Sequence, residues 1–302
     1  MNALGKDLAS VTHYVRKLRG GSQPILARAS DGFLYVVKFA NSLQGPNLLF
    51  NESAGSELYR ACGLSVPKWR PLEITDGFLD RNPGCWMETP EGRLRPASGL
   101  CFGSRYLGEN GTRILEVLPG SSFKRVRNRF SFWLAWLIDI CAEHVDHRQT
   151  VFVESAEGWL DAYFVDHGHL FGGPGADSTR HFGASRYLDQ RIYEGVTAEV
   201  LLSFQDVLKA LNSDKLRQRI EAIPAQWSHA SAREGLERCL QKLTTPLLMQ
   251  QVVEAVIGDL ERRTDAEPRI FESEWKRLSK VLCLDLRRGV SWRNCAHHPH
   301  CA

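Results

Sequence analysis

Two apolar runs near the start of the chain, Pro24 to Ala29 and Phe33 to Phe39, flank an Asp31-Gly32 pair. Such a pair between apolar runs predicts a β-hairpin, because both residues tolerate the backbone of a tight turn. The second run, FLYVVKF, is rich in aromatic and β-branched residues and predicts a strand. Upstream, Ser10 to Leu18 is partly alternating and carries the basic Arg16 and Lys17; Arg19 and a Gly20-Gly21 turn follow. Leu48 to Cys62 predicts a helix, with Leu48, Leu49, Leu58 and Tyr59 apolar and Gly63 as its stop. Val66-Pro67 opens an extended segment that runs through Ile74. Asp76 to Gly99 is rich in Gly, Pro and Arg and reads either as a loop or as a region of short strands. Leu100 to Leu107 predicts another strand, and Pro119-Gly120 a break.

From Phe123 the pattern turns helical. NRFSFWLAWLIDICAEHV is apolar nearly all round, which predicts a buried helix. Thr150 to Glu154 and Trp159 to Val165 read as two short strands joined by a turn at Glu157-Gly158. Gly172 to Gly183 is a glycine-containing loop. Val196 to Leu286 is predicted helical, with turns at Asn212-Ser213, Ile223-Pro224 and Thr244 to Pro246. No internal repeat interrupts this order. It predicts an α+β protein of two lobes: a strand-rich one over 1–107, a mainly helical one over 108–286, and a flexible tail over 287–302. A cleft between such lobes is a natural ligand site.

Composition narrows the classes. Of 302 residues, 43% are hydrophobic and 24% charged, which argues against a disordered or fibrous chain. The formal charge is +3, from 38 basic and 35 acidic residues, so there is no electrostatic case for a nucleic-acid or membrane partner. No apolar run is long enough to span a bilayer. The first residues, MNALGKDLAS, lack an apolar signal core, which predicts a cytoplasmic protein. Most of the eight cysteines stand alone inside apolar stretches, as free buried thiols do. The tail NCAHHPHCA holds zinc-binding residue types, but without the spacing of a finger.

Four places could carry chemistry. Lys38 is a cation inside a predicted buried strand, costly unless it meets an anion. Glu52 lies near the start of the following helix, where the helix dipole alone would favour it. A strand lysine followed by a helix glutamate is also how kinases fix a phosphate-binding lysine. HVDHRQTVF places His144, Asp146, His147, Arg148 and Gln149 between two core elements. FVDHGHLF puts Asp166 at the end of a strand, beside His167-Gly168, where a carboxylate suits a metal-phosphate contact.

Taken in order, YVVKF, NES, GLSVP (Gly63 to Pro67), FGSRY (Phe102 to Tyr106), HVDHRQTVF and FVDHG resemble the HipA-like kinase family. That family is a bacterial branch of the protein-kinase and phosphatidylinositol-kinase-like fold. The resemblance spans roughly Val11 to Leu170 and implies a two-lobed protein-kinase-like fold that binds ATP and Mg²⁺. By this resemblance Lys38 holds phosphates, Glu52 holds Lys38, Asp146 meets the acceptor hydroxyl and Asp166 holds Mg²⁺. Gly20, Gly21 and Ser22, within the turn Arg19 to Gln23, would cover the phosphates, and Phe102 and Ser104 would lie behind the adenine. The implied reaction moves the γ-phosphoryl group to a hydroxyl, that of Ser or Thr in a protein; the acceptor is not legible, and a small molecule remains open.

The chain departs from the kinase pattern in three ways, one being that His144 and His147 stand where related sequences often have Asn or Arg. The position of the usual metal-binding asparagine, five residues after the catalytic aspartate, is Val151; Gln149 is the nearest amide. The glycine-rich loop is reduced to Gly20-Gly21. Two alternatives therefore stay open: a nucleotide-binding pseudokinase or interaction module without transfer, and a metal-dependent phosphohydrolase. The hydrolase would use His144, Asp146, His147, Asp166, His167 and His169. Trp133 and Trp136 are expected in the core, Asp139 against the backbone of the HVDHRQ loop, and Lys124, Arg125, Arg127 and Arg129 on a solvated helix face.

Overall fold

The Asp31-Gly32 turn forms as predicted: Gly32 has φ +84°, and the Ala29 amide donates to the Phe33 carbonyl at 3.0 Å. It joins β2 (Ile25–Ala29) to β3 (Leu34–Lys38). The structure is a computed structural model and describes residues 8–118, 120–175, 185–194, 204, 207–208 and 211–261. With β1 (Ala9–Lys17), β4 (Trp69–Ile74) and β7 (Gly99–Arg105), the hairpin closes into a barrel of order β1-β2-β3-β7-β4. The β1–β4 pairing that completes it is parallel; the other pairs are antiparallel. Closure leaves no free strand edge. Alternate residues of these strands, among them Ile25, Ala27, Val37, Leu72 and Cys101, fill the barrel interior.

The crossover from β3 to β4 carries α1 (Leu48–Ala61). Its residues are buried from Leu48 through Tyr59, more completely than an amphipathic surface helix allows. Leu48, Leu49, Phe50, Leu58 and Tyr59 join the larger of two hydrophobic clusters rather than the barrel interior. The rest of that cluster comes mainly from α3 (Ser131–Cys141), α4 (Ser213–Glu221), α5 (Ala230–Thr244), α6 (Pro246–Glu261) and a small sheet of order β10-β9-β8. In that sheet β9 is Gln149–Glu154, β10 is Leu160–Val165 and β8 is Ile114–Leu115. Trp133 and Trp136 are core residues, as expected.

The ambiguous Asp76 to Gly99 stretch forms a short helix, α2 (Asp76–Arg81), and a two-stranded ribbon of β5 (Met87–Thr89) and β6 (Gly92–Leu94). One expectation fails between Phe123 and Phe130. The α-helix begins only at Ser131; Lys124, Arg125 and Arg127 are exposed as expected, but with Arg129 they lie on a 3₁₀ helix and a turn and share no α-helical face. Arg125 pairs with Glu154 and Arg127 with Asp161, while Arg129 donates to the Glu194 carbonyl at 2.7 Å. These carboxylates sit on the β9–β10 hairpin, so the pairings tie a 3₁₀ turn (Gly120–Arg125) and the turn after it to the sheet, and Val126 bridges to Leu160.

Cys62, Cys85, Cys101, Cys141 and Cys239 are free and buried. Cys283, Cys295, Cys301 and the tail NCAHHPHCA lie outside the described residues, as do 176–183 of the glycine loop and 262–286 of the predicted helical region. Among the described residues no helix is long and apolar enough to cross a membrane.

Candidate active site

Lys38 is the last residue of β3, at the barrel rim, and its ammonium is buried. It donates to Glu52 Oε1 at 2.5 Å and to Asp166 Oδ1 at 2.7 Å. Three chain segments thus meet at one nitrogen: β3, α1 and the residue that follows β10. Glu52 is the fifth residue of α1, past the turn where the helix dipole acts, so its placement answers to Lys38. Its carboxylate also accepts the His167 amide at 3.2 Å and the Gly168 amide at 2.9 Å. Gly168 is required here, since a Cβ would stand 2.3 Å from Leu48 Cδ1 and 2.9 Å from Glu52 Oε1.

Asp166 has φ +58°, a left-handed conformation that Asp tolerates better than most residues. Its side chain is 24% exposed, so the carboxylate has one side on Lys38 and one side open. Burial alone would lower the Lys38 pKa; Asp166 and Glu52 outweigh it and hold the ammonium above its ordinary value. Burial likewise works against the charge on Asp166, but Lys38 overrides it and holds the carboxyl well below the usual range. Burial pushes Glu52 upward, against the pull of Lys38, with the Asp166 charge adding to the rise. Two carboxylates around one ammonium leave excess negative charge, with an open oxygen face on Asp166 alone. A carboxylate oxygen of this kind is the ligand type that hard divalent cations take.

The remaining predicted residues divide into two groups. Gly20, with φ +127°, and Gly21 form the turn after β1, and the Gln23 amide closes it on the Gly20 carbonyl at 3.0 Å. Gly21 lies against the Gln44 side chain: a Cβ there would stand 2.7 Å from Gln44 Nε2. Gln44 Nε2 in turn is 2.8 Å from His169 Nε2, and that nitrogen is 4.0 Å from Asp146 Oδ2. The Asp146 side chain is 43% exposed. The glycine turn and Asp146 are therefore connected through Gln44 and His169, which the sequence did not single out for this. Ser22 is buried in the turn.

The second group lies apart from these contacts. Phe102 pairs with Lys38 in register, but its ring is buried in the larger cluster and stacks on Trp69 at 5.7 Å. Ser104, two residues on, is half-buried opposite Val36 and Trp69. Gln149 starts β9 in register with Val165, with its side chain exposed.

Beneath the site lies a buried polar network. Arg148 grips Asp139 with Nε at 2.9 Å and Nη2 at 2.6 Å, and the Tyr59 hydroxyl donates to the same carboxylate at 2.5 Å. The expectation for Asp139 is thus corrected: its carboxylate takes a guanidinium, not the loop backbone. A fully buried carboxylate needs a full countercharge, and a peptide N–H supplies only a partial one. That rule was the available signal, since Asp139 is the sole charge in an otherwise apolar helix and Arg148 is the nearby buried cation. Asn51 was missed too; its amide nitrogen donates to the carbonyls of Gly168, Leu170 and Gly173 at 3.0, 2.8 and 3.1 Å.

The histidines of both motifs are poorly placed for metal. His144 and His167 are buried, and burial, then Arg148, holds both well below the ordinary histidine range. Arg148 Nη1 lies 3.3 Å from His167 Nδ1; an arginine only donates, so Nδ1 accepts and cannot carry the proton. Among the described residues no group of three or more His, Cys, Asp or Glu is arranged to hold a metal ion.

No protein-family model matches the chain, and no curated protein matches it in sequence. Among solved structures, the Helicobacter pylori proinflammatory kinase CtkA matches with a TM-score of 0.49 at 12% identity, over 82% of this chain and 95% of that one. A Golgi casein kinase matches with a TM-score of 0.40 at 15% identity, over 87% of this chain and 75% of its own. The Golgi casein kinase with Mn/ADP bound matches with a TM-score of 0.38 at 14% identity, over 87% and 76%.

Proposed function

We propose that the chain is a HipA-like, ATP- and Mg²⁺-dependent phosphotransferase that moves a γ-phosphoryl group to a hydroxyl, with Ser or Thr of a protein as the acceptor class. Residues 1–107 would form the nucleotide lobe and 108–286 the lobe that carries the catalytic and metal loops. The observation that carries this reading is Lys38, buried between Glu52 and Asp166. A buried ion pair is weak evidence of stabilisation. A buried triad with one open carboxylate face suits a hard cation and the phosphate anion that comes with it.

The residues fit such a ligand. Lys38 supplies fixed positive charge at the phosphates, and Glu52 keeps it aimed. Asp166 offers a hard oxygen to Mg²⁺, with Gln149 as the amide in place of the usual asparagine. Bound Mg²⁺ would neutralise charge on the transferring phosphoryl group. Asp146, on the exposed side and next to His169, would orient the acceptor hydroxyl and take its proton. Gly20 leaves open space for phosphate oxygens at the turn, while Gly21 packs on Gln44, which ties that turn to the Asp146 side. Phosphoryl transfer asks for little beyond such positioning and charge.

The test is a thermal-shift titration with ATP and Mg²⁺. Asp166→Ala is the informative variant, because it leaves Lys38 and Glu52 as a neutral pair. Ligand at about 100 times Kd stabilises a protein by about 2.7 kcal/mol. Wild type should shift, and the variant should lose the metal-dependent part; equal shifts in both would remove Asp166 from the site. Self-labelling by labelled ATP that Asp146→Asn abolishes separates transfer from binding alone. Binding without any labelling would favour the pseudokinase reading, which Val151 at the asparagine position makes the second choice.

A further inference from the structure

Asp166 carries a non-glycine side chain at φ +58°, and something must hold it there. Arg148 is in position to do so. Two of its nitrogens are fixed on Asp139, and the third, Nη1, faces the carbonyl of Val165 at 3.1 Å, the carbonyl of Asp166 at 3.4 Å and His167 Nδ1 at 3.3 Å. These three acceptors bracket the left-handed residue. The guanidinium itself cannot drift. It lies 4.9 Å from the Tyr59 ring centre, and Tyr59 belongs to α1, the helix that carries Glu52. Tyr59 also packs on the His167 ring at 4.6 Å.

We propose that Arg148 is a positioning residue: its third nitrogen holds the backbone of Asp166 in the left-handed conformation and so aims the carboxylate at the metal. The metal part rests on the function proposed above. Arg148 touches neither nucleotide nor acceptor in this scheme; it acts through the peptide units on both sides of Asp166. Its planar fork is essential. A lysine keeps the charge but cannot hold Asp139 with two donors while presenting a third to the chain.

The experiment is a double-mutant cycle read by urea unfolding without nucleotide. Arg148→Lys is introduced into an Asp166→Asn background and into an Asp166→Gly background. Both backgrounds lack the charge on residue 166; they differ in the cost of a left-handed backbone, which glycine adopts freely. Arg148→Lys should lower the folding equilibrium constant at least twofold less with asparagine at 166 than with glycine, because only asparagine regains the cost of the left-handed backbone when the hold is released. Equal losses in the two backgrounds would mean that Arg148 only balances Asp139, and would overturn the proposal. A second readout uses Mn²⁺ with ATP and native Asp166. Arg148→Lys should weaken Mn²⁺ binding at least tenfold while metal-free ATP binding changes less than twofold; equal weakening of both would also overturn it. Wild type that binds no Mn²⁺ in the presence of ATP would defeat the phosphotransferase reading, whereas the urea cycle judges the backbone role separately.

Discussion

Two glycines next to the site differ in what they can tolerate. At Gly168 an added methyl meets Leu48 and the Glu52 carboxylate, both buried and both fixed by other contacts. At Gly21 it meets only the end of the Gln44 side chain, which can turn away. Gly168→Ala should therefore destabilise the protein by about 1–3 kcal/mol, the usual cost of overpacking, while Gly21→Ala should cost far less. Urea denaturation of the two variants checks this ranking. Comparable losses would show that Gln44 is held as firmly as Leu48, or that Leu48 yields. Lys38, Glu52, Asp146 and Asp166 were all legible as candidates in the sequence, because each is a charge at an apolar junction. Gln44 and His169 were not legible as a link, since it rests on two side chains 125 residues apart.

At the scale of elements, α1 does most of the organising. It brings Glu52 to Lys38, Tyr59 to Asp139, and Asn51 to the segment after β10. Asn51 is fully buried, and its one amide nitrogen serves the carbonyls of Gly168, Leu170 and Gly173. Asn51→Ala leaves those carbonyls without this donor, at a cost of about 1–3 kcal/mol for each one left unsatisfied and buried. Amide hydrogen exchange should accelerate from Gly168 to Gly173 before it changes in α3. Uniform acceleration over the whole chain would instead mean that Asn51 supports the global fold and not this segment. The helix itself was legible from Leu48 to Cys62, as were the hairpin around Asp31-Gly32 and the strands that flank Glu157-Gly158. The β5–β6 ribbon was not. Its strands are three residues each, and a long-range contact ties it down: the Gln23 side chain exchanges hydrogen bonds with the backbone of Glu88, both at 2.7 Å. The segment before α3 misled for a related reason, since its exposed arginines are held off the α-helix by Glu154 and Asp161, which are far away in sequence.

For the molecule as a whole, the buried histidines set how stability responds to acid. His144 and His167 stay neutral in the folded state because burial, with Arg148 next, holds their pKa values well below the ordinary histidine range. In the unfolded chain each takes up a proton at about pH 6.5. Stability from this source is intact above that pH and falls as pH drops below it, by at most about 1.4 kcal/mol per pH unit for each histidine. Glu52 opposes them. Burial raises its pKa in the folded state above the ordinary carboxylate value, so it takes up a proton more readily when folded, and its contribution is lost as pH rises. Asp166 is held well below the usual carboxylate range, and its share is lost only in stronger acid. Between about pH 6.5 and 4.5 two histidines act against one glutamate, and the net effect is destabilisation on acidification. His144 is the cleaner one to remove, because it is not bonded to Arg148 as His167 is. His144→Gln should flatten the fall in urea midpoint between pH 7.5 and 5.5 relative to wild type. An identical slope in the variant would mean that His144 charges without penalty in the folded protein, and the neutral network around Arg148 would have to be redrawn.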